Sequence, residues 1–218
     1  MGGTETKSVM TAGNLFRFSV KYWKKRRYML VCASILMLLA VVADIIYPIF
    51  SGRLIDALAS GLNDPQAYAM PALYAFLGMA GMGLMQRICK VSGSYYWARL
   101  TAYLLPRVVE DAFYKVQRFT TNWHTNSFAG ATTRKVIRGM WAFDSFGDLL
   151  YMNMIPTALV LSGITISQIL HDPVVGFSFL AGLIIYISVS AVLSLKYISP
   201  VNREWVAEDS KLSGTIAD

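Results

Sequence analysis

The stretch Phe113 to Gly139, FYKVQRFTTNWHTNSFAGATTRKVIRG, is polar and basic and lies midway between two pairs of long apolar segments. Because those segments are long enough to cross a bilayer, the chain leaves an apolar phase before this stretch and re-enters it afterwards. What this stretch contacts outside the membrane is therefore expected to decide what the protein does.

The composition of the chain indicates a membrane protein. Of its 218 residues, 55% are hydrophobic and 15% are charged, whereas a soluble domain is about a quarter charged. Cys32 and Cys89 both lie in apolar surroundings, so no disulfide framework is expected. His124 and His171 have no neighbours at metal-ligand spacing, and we expect no metal site.

The apolar residues fall into four runs, each near the ~20 residues that one bilayer crossing needs. The predicted spans are about 28–50, 67–95, 149–170 and 174–195. Only His171-Asp172-Pro173 separates the last two, which predicts a tight helical hairpin. In the second span small residues recur at every third position, which would let a neighbouring helix approach closely; they are Ala72, Ala75, Gly78 and Gly81.

The sequence allows two interpretations of where the second span ends on its inner side. Arg87 and Lys90 would mark the boundary in the first reading. In the second, the aromatic cluster Tyr95-Tyr96-Trp97 forms an interfacial belt, and the two basic residues sit inside the bundle. The second reading is preferred, and it places the end of the span near residue 95.

The distribution of basic residues predicts the orientation. Of the 20 Lys and Arg, seven precede the first span, nine lie between Arg87 and Arg138, and three follow Leu195, which leaves Arg53 alone in the opposite loops. Basic residues concentrate on the cytoplasmic side, so both termini and the central stretch are expected there. The net charge of +7 is then explained by the orientation of the chain in the membrane. It is therefore no longer an argument for nucleic-acid binding.

Residues 1–27 are predicted to form a cytoplasmic N-terminus with one interfacial helix. From Asn14 to Lys24, basic residues gather on one helical face and apolar residues elsewhere on the same helix. Such a helix can lie in the membrane interface.

Residues 97–148 are predicted to form a cytoplasmic excursion with two helical arms. One arm runs from Trp97 to about Arg118 and the other from Ala131 to Asp148, and twenty residues at 1.5 Å rise would reach ~30 Å. The Thr- and Asn-rich residues 120–126 favour a break between them, and Asn126 or Ser127 can cap the returning arm. The aromatic pair Phe119 and Trp123 needs a surface to pack against; the alternative is a self-contained hairpin.

These features resemble the transmembrane domain of ABC exporters built from six long helices per half. In that family a transverse coupling helix joins the second and third helices, followed by an aromatic residue, an asparagine, a glycine and a basic residue in that order. This sequence has Trp123, Asn126, Gly130 and Arg134 in that arrangement. Further matching positions are Pro48, Gly52, Ile55 and Asp56 in the outer end of the first helix and 202–204 and 213–218 near a second coupling helix. The resemblance implies an all-α membrane protein, an incomplete exporter transmembrane fold over 28–218.

The resemblance also implies a nucleotide-binding domain as partner. The expected coupling residues are Val116, Gln117, Arg118, Phe119, Thr120, Thr121, Asn122 and Trp123, and the second coupling helix would begin at Lys211, Leu212, Ser213 and Gly214. ATP and magnesium would belong to that domain, because this chain has no Gly-x-x-x-x-Gly-Lys-Ser/Thr loop. We expect no cofactor and no enzymatic activity in the chain itself, and expect it to be a fragment, a truncated product or part of a split transporter.

A mildly polar stripe on the first span is suited to a substrate cavity. Its members fall on one helical face: Ser34, Met37, Val41, Asp44, Pro48 and Ser51. An ionisable group inside a membrane is a functional candidate, so Asp44 either contacts substrate or a proton, or it is solvated or pairs helices. Asn153 and Gln168 in the third span are the other cavity candidates, with interhelical hydrogen bonding as their alternative.

The function expected from these observations is that of a transmembrane segment of an ATP-driven exporter. Its partners would be the lipid bilayer, a nucleotide-binding domain, a second transporter half and an unidentified small molecule. The pairs Trp123-His124 and Arg138-Gly139 are similar to bacterial members, which implies a multi-pass protein of the bacterial inner membrane. The alternative is a four-helix scaffold whose hairpin binds a partner. A membrane-embedded enzyme would need a convergent catalytic set that the sequence lacks.

Overall fold

The order of the helices follows from where the apolar runs and the polar breaks lie. A computed structural model describes residues 12–62, 65–119, 129–202, 204 and 205. The α-helices are α1 (Ala12–Trp23), α2 (Arg27–Gly61), α3 (Pro65–Gln117), α4 (Ala129–Gly147), α5 (Ile155–His171) and α6 (Pro173–Leu193). A 3₁₀ turn, Lys24–Arg26, follows α1, and π-helical segments, Asp148–Met154 and Ser194–Ile198, follow α4 and α6. No β-strand occurs within the described ranges.

The all-α membrane fold predicted from the sequence is confirmed. Four helical stretches are long and apolar enough to cross a membrane: Gly13–Gly61, Gln66–Gln117, Thr132–His171 and Pro173–Asn202. Each extends beyond its predicted span, because polar residues next to an apolar run continue the same helix. Helical hydrogen bonds satisfy the backbone within the membrane and outside it alike, so helix ends do not mark membrane boundaries.

The chain divides into two compact units, Met1–Val160 and Leu161–Asp218. In the first unit, α2 and α3 pack against each other along a seam of small and apolar side chains. The buried residues of this seam include Ala33, Met37 and Ala40 on α2 and Cys89 on α3. Small residues keep the two helix backbones close, which is how helices associate where surrounding lipid removes the hydrophobic driving force.

The predicted row of small residues on the second span is only partly used for packing. Ala75 is buried, and a Cβ at Gly78 would overlap the ring of Phe50. Gly81 has open space around it. At 3.6 residues per turn, three residues rotate the helix by ~300°, so a period of three drifts by ~60° at each step. Gly81 has therefore rotated ~120° away from Ala75.

Arg87 and Lys90 are both exposed on the surface of the first unit. Packing of α2 against α3 thus does not enclose either side chain. The inner boundary of the second span near residue 95 stays a prediction.

In the second unit, the predicted tight turn between α5 and α6 is confirmed. Asp172 is the N-cap of α6, and its Oδ1 accepts hydrogen bonds from the backbone N–H of Val174 at 2.9 Å and of Val175 at 3.3 Å. Pro173 occupies the first helical position, where its missing N–H costs nothing. Gly176 is buried in the next turn, and a Cβ there would overlap the backbone and side chain of Ile169.

Replacing Gly176 by leucine is expected to destabilise this hairpin. The new side chain meets backbone atoms of α5 that cannot move aside, and overpacking of this kind costs about 1–3 kcal/mol or more. Gly182→Leu on the same helix is the matched control, because a Cβ at Gly182 has nothing within 4 Å. That control should be neutral or stabilising by up to ~1 kcal/mol, from helix propensity. Unfolding by dodecyl sulfate in mixed micelles, followed by circular dichroism, measures both; equal effects would contradict the packing.

Candidate functional site

The two helical arms predicted for the cytoplasmic excursion are present. Helix α3 continues 22 residues past Tyr95 to Gln117, which at 1.5 Å per residue is ~33 Å. Helix α4 supplies the returning arm with its 19 residues. Long helices therefore lie on either side of positions 118–128.

The tip of the outgoing arm ends in a tight turn that leaves Phe119 at the surface. The backbone N–H of Arg118 donates to Lys115 and that of Phe119 donates to Val116, each at 3.1 Å. Hydrogen bonds from the N–H of one residue to the carbonyl three residues earlier commonly close the last turn of a helix. Phe119 is 49% exposed, a large fraction for a phenylalanine far from the apolar runs.

The side chain of Arg118 packs back along the arm instead of reaching outward. Its guanidinium lies 4.1 Å from the ring centroid of Tyr114 and donates a hydrogen bond to the Tyr114 hydroxyl. Val116 is half-buried and Gln117 is exposed. Phe119 is thus an exposed apolar group at this end of the arm, and Arg118 borders it.

Several predicted coupling residues lie outside the described residues, and their roles stay predictions. They are Thr120, Thr121, Asn122, Trp123 and Asn126 near the first tip, and Lys211, Leu212, Ser213 and Gly214 of the second coupling helix. Gly130 lies in the first turn of α4, and Arg134 is exposed one turn later. The cap that Asn126 or Ser127 would provide also lies outside the described residues.

The base of the arms is held by a group of aromatic residues, which we call the aromatic junction: Tyr22, Trp23, Trp97, Phe143 and Tyr151. The rings of Trp97 and Tyr151 are stacked at 4.2 Å, and Trp23 meets Trp97 edge-on at 5.5 Å. Tyr22 and Phe143 form a further edge-on pair at 5.9 Å. Such pairs stabilise by ~0.5–1.5 kcal/mol beyond their buried area. The junction joins α1, α3, α4 and the π-helical segment within the first unit.

Trp97 is the centre of the junction. Its side chain is 3% exposed, and its Nε1 donates a 2.6 Å hydrogen bond to Asp148 Oδ1. Gly147 lies against its ring, and a Cβ there would come within 3.2 Å of Trp97 Cζ2. The sequence placed Trp97 in an interfacial belt with Tyr95 and Tyr96, but its ring is used inside the protein.

A second set of polar contacts ties α1 to the outgoing arm. Where α1 meets α2, Arg26 leaves the helical region with φ −131° and ψ 63°, and this bend turns α1 onto α3. Tyr22 donates a 2.7 Å hydrogen bond to Asp111 Oδ2, and Lys25 Nζ lies 3.4 Å from the same oxygen. The predicted helix at 14–24 therefore exists, and its Tyr22 and Trp23 are buried against protein. Its interfacial placement stays a prediction.

These contacts shift the acid–base behaviour of both partners. Asp111 lies 16 residues beyond Tyr95, about 24 Å along the arm and outside the predicted span. The hydrogen bond from Tyr22 is the main reason why the pKa of the Asp111 carboxyl is lowered from its ordinary value. Burial, followed by the bond to Asp111, raises the pKa of Tyr22 to about 12. Tyr22 stays a neutral donor and Asp111 a charged acceptor at neutral pH.

A cavity of ≈ 260 Å³ opens between α2 and the start of α5. Three of its lining residues belong to the stripe predicted on the first span, and the other side comes from the π-helical segment and α5. The lining includes Ser34, Met37, Val41, Tyr151, Pro156 and Leu159. Half of the predicted stripe therefore faces a real cavity.

The polar end of this cavity is a pair of hydroxyl groups. Ser34 Oγ donates to the backbone carbonyl of Leu30 at 2.8 Å, and it lies 2.6 Å from the Tyr151 hydroxyl. Either hydroxyl can be the donor in the second bond, because the Tyr151 hydroxyl also lies 3.5 Å from the Leu30 carbonyl and can donate to it instead. Tyr151 thus links the cavity to the aromatic junction, where its ring stacks on Trp97.

The predicted cavity residues Asp44, Asn153 and Gln168 take different positions. Asp44 is half-buried in α2 and does not line the ≈ 260 Å³ cavity. Four residues later Pro48 lacks an N–H, so the backbone carbonyl of Asp44 loses its helical donor. Asn153 is exposed and donates a 3.1 Å bond to the carbonyl of Asp148 in its own helix. Gln168 is exposed in the second unit.

No group of three or more His, Cys, Asp or Glu side chains suited to a metal ion occurs among the described residues. Cys32 and Cys89 are both free thiols. The described contacts of the site are aromatic and apolar, with a few hydrogen bonds.

Comparison with known proteins agrees with this architecture. Residues 30–214 match the family model of the ABC transporter transmembrane region. Curated proteins and solved structures gave no match. The matched range covers most of the chain and takes in both arms and the cavity. The chain therefore belongs to the ABC transporter transmembrane region family.

Proposed function

We propose that this chain is a transmembrane segment of an ATP-driven exporter and transmits movement from a nucleotide-binding domain. The observation that carries the proposal is the outgoing arm, which extends ~33 Å past Tyr95 and ends at an exposed Phe119. An exposed aromatic group beside the end of a long helix suits a contact with a partner domain. ATP and magnesium would act in that domain.

The arm can transmit movement because its base is fixed by packing. A helix fixed at one end turns as a rigid body about that end. The aromatic junction holds the base of the arm through Trp97, and the Tyr22–Asp111 bond braces it further along. Movement at Phe119 would therefore reach Tyr151, which borders the ≈ 260 Å³ cavity.

The substrate would be a small molecule that passes along the face of α2. The ≈ 260 Å³ cavity supports this role, because it is mostly apolar with one polar end at Ser34 and Tyr151. Asp44, Asn153 and Gln168 stay candidate contacts in a pathway that a second transporter half would complete. That half is a second copy of this chain or a different subunit.

We further propose that both termini and the arms lie in the cytoplasm, in a bacterial inner membrane. The support is the concentration of 19 of the 20 Lys and Arg on one side. Arg53 is the exception; it lies on α2 beyond the predicted end of the first span.

Single-cysteine variants of the complete transporter test the proposal. With Cys32 and Cys89 replaced by alanine, Arg118→Cys at the tip carries a benzophenone maleimide, and Arg99→Cys near the base is the matched control. Irradiation should join the tip variant to the nucleotide-binding domain and leave the base variant unjoined.

The same variants report the orientation. A membrane-impermeant maleimide added to intact cells should modify Leu62→Cys and leave Arg118→Cys unmodified until the cells are opened. Labelling of Arg118→Cys in intact cells would refute the orientation. Equal cross-linking from tip and base, or none from the tip, would refute the coupling role.

A further inference from the structure

A second pocket lies at the other end of the α2–α3 pair, far along both helices from the arms. Its volume is ≈ 400 Å³, within the ~300–1,000 Å³ range of small-ligand pockets. Unlike the cavity beside Tyr151, it is lined by charged and aromatic side chains together. They are Phe50, Arg53, Asp56, Tyr68 and Tyr74.

Arg53 and Asp56 give this pocket one charge of each sign. They lie three residues apart on α2, which puts their Cβ atoms about 5–6 Å apart on the same side of the helix. Neither forms an ion pair within the described part of the chain. The guanidinium of Arg53 lies instead 5.8 Å from the ring centroid of Phe50. Both charges therefore line the pocket without an ion-pair partner among the described residues.

The two charges select for a ligand that carries both signs. An anion alone would be attracted by Arg53 but repelled by Asp56. A cation alone would be attracted by Asp56 but repelled by Arg53. A zwitterion with a separated phosphate and ammonium satisfies both, since a guanidinium binds phosphate oxygens in a forked arrangement and a carboxylate accepts from an ammonium group. Aromatic faces at Phe50, Tyr68 and Tyr74 also attract an ammonium ion.

The wall of the pocket is partly preformed. Phe50 packs so closely on α3 that a Cβ at Gly78 would overlap its ring. Its position is therefore set by the helix pair and does not depend on a ligand.

The position of the pocket along the helices points to a lipid. Arg53 follows the predicted first span by three residues, and Tyr68 and Tyr74 lie in the first turns of the second. Residues at these positions are expected to meet the polar headgroups, where Tyr and Arg act as interfacial anchors. Headgroups line both faces of a bilayer, so this placement holds for either orientation of the chain.

We propose that this pocket binds the headgroup of a zwitterionic phospholipid, with the phosphate on Arg53 and the ammonium on Asp56 among the aromatic rings. The ligand is a constituent of the surrounding membrane. The site is separate from the ≈ 260 Å³ cavity and does not depend on transport.

Lipid binding to the delipidated protein in detergent, counted by native mass spectrometry, tests the proposal. Phosphatidylethanolamine and phosphatidylglycerol are the probes, because both carry a phosphate and only the first carries an ammonium. The wild-type protein should bind phosphatidylethanolamine about tenfold more tightly, as expected for one additional charge-assisted contact.

Two variants separate the two charges. Asp56→Asn should lose the preference, so that both lipids bind within about twofold of each other, and its retained binding of phosphatidylglycerol shows that it is folded. Arg53→Gln should weaken both lipids about tenfold, as the loss of one charge-assisted bond predicts. Arg87→Gln is the matched control, since Arg87 is exposed on α3 and does not line the pocket.

Three results would overturn the proposal. The first is equal binding of the two lipids to the wild-type protein, and the second is unchanged binding in Arg53→Gln. The third is displacement of the lipid by soluble phosphoethanolamine at equal concentration, which would identify a site for a free zwitterion.

Discussion

Replacing Phe119 and Trp123 together by alanine in the complete transporter is expected to reduce transport at least about tenfold while basal ATP hydrolysis stays within about twofold. Aromatic anchors in a protein interface each contribute about 2 kcal/mol or more, and the exposed ring of Phe119 at the end of α3 is such a group. Hydrolysis takes place in the partner domain and should persist. Parallel transport and ATPase assays in proteoliposomes measure the two rates.

The matched control removes two exposed aromatic rings away from the tip, one at the base of the outgoing arm and one on the returning arm. Tyr95 and Trp141 are 55% and 56% exposed, and the Tyr95→Ala, Trp141→Ala double variant should keep both activities. If Phe119→Ala with Trp123→Ala retains transport and substrate-stimulated hydrolysis, the tip is not the coupling contact. If the control loses transport equally, the effect reflects general loss of aromatic surface.

Replacing Trp97 by alanine is expected to be the most damaging single change to the first unit. Burial of its ring, its stack on Tyr151 and its hydrogen bond to Asp148 are all lost, and Trp→Ala in a core costs about 3–5 kcal/mol. Trp97→Phe keeps a ring for stacking but leaves Asp148 without its donor. It should cost about 1.5–3 kcal/mol, the value of a hydrogen bond to a charged group. The free energy of unfolding in mixed micelles measures both.

Trp141→Ala controls for the loss of a tryptophan from a helical arm. Because Trp141 is exposed, the change should stay within about 0.5 kcal/mol. A Trp97→Ala variant as stable as this control would show that the aromatic junction does not hold the base of the arms. A Trp97→Phe variant as unstable as Trp97→Ala would instead assign the whole effect to the hydrogen bond.

Features that depend on neighbouring residues could be predicted from the sequence. The turn at His171-Asp172-Pro173 is an example, since an N-cap aspartate followed by proline starts a helix wherever it occurs. The two arms were predictable for a similar reason, as good helix formers dominate Trp97 to Gln117; Pro106 was expected to kink the outgoing arm, and the helix continues through it. The resemblance to the family was stated from these elements together with weakly specific motifs around Asn126 and Gly130.

Features that depend on which face of a helix packs against another helix were predicted less well. Gly81 was expected to pack with Ala75 and Gly78 but lies in open space, because a period of three drifts around a helix of 3.6 residues per turn. Trp97 was assigned to a belt because tryptophan is common at interfaces. Composition cannot tell a ring that meets lipid from a ring that stacks on Tyr151.

The sequence by itself determined that this protein has four long apolar helices with a polar excursion between the second and third. The spans depend only on residues that are close in sequence. A bilayer requires about 20 apolar residues per crossing, and a helix provides the hydrogen bonds of their backbone. Only the tertiary structure decided that α1 is fastened to the outgoing arm, that Trp97 is the centre of the junction, and that Arg53 and Asp56 share a pocket with Tyr68. Tyr22 and Asp111 are 89 residues apart in the chain, and such pairings arise from the packing of whole helices, which no local pattern encodes.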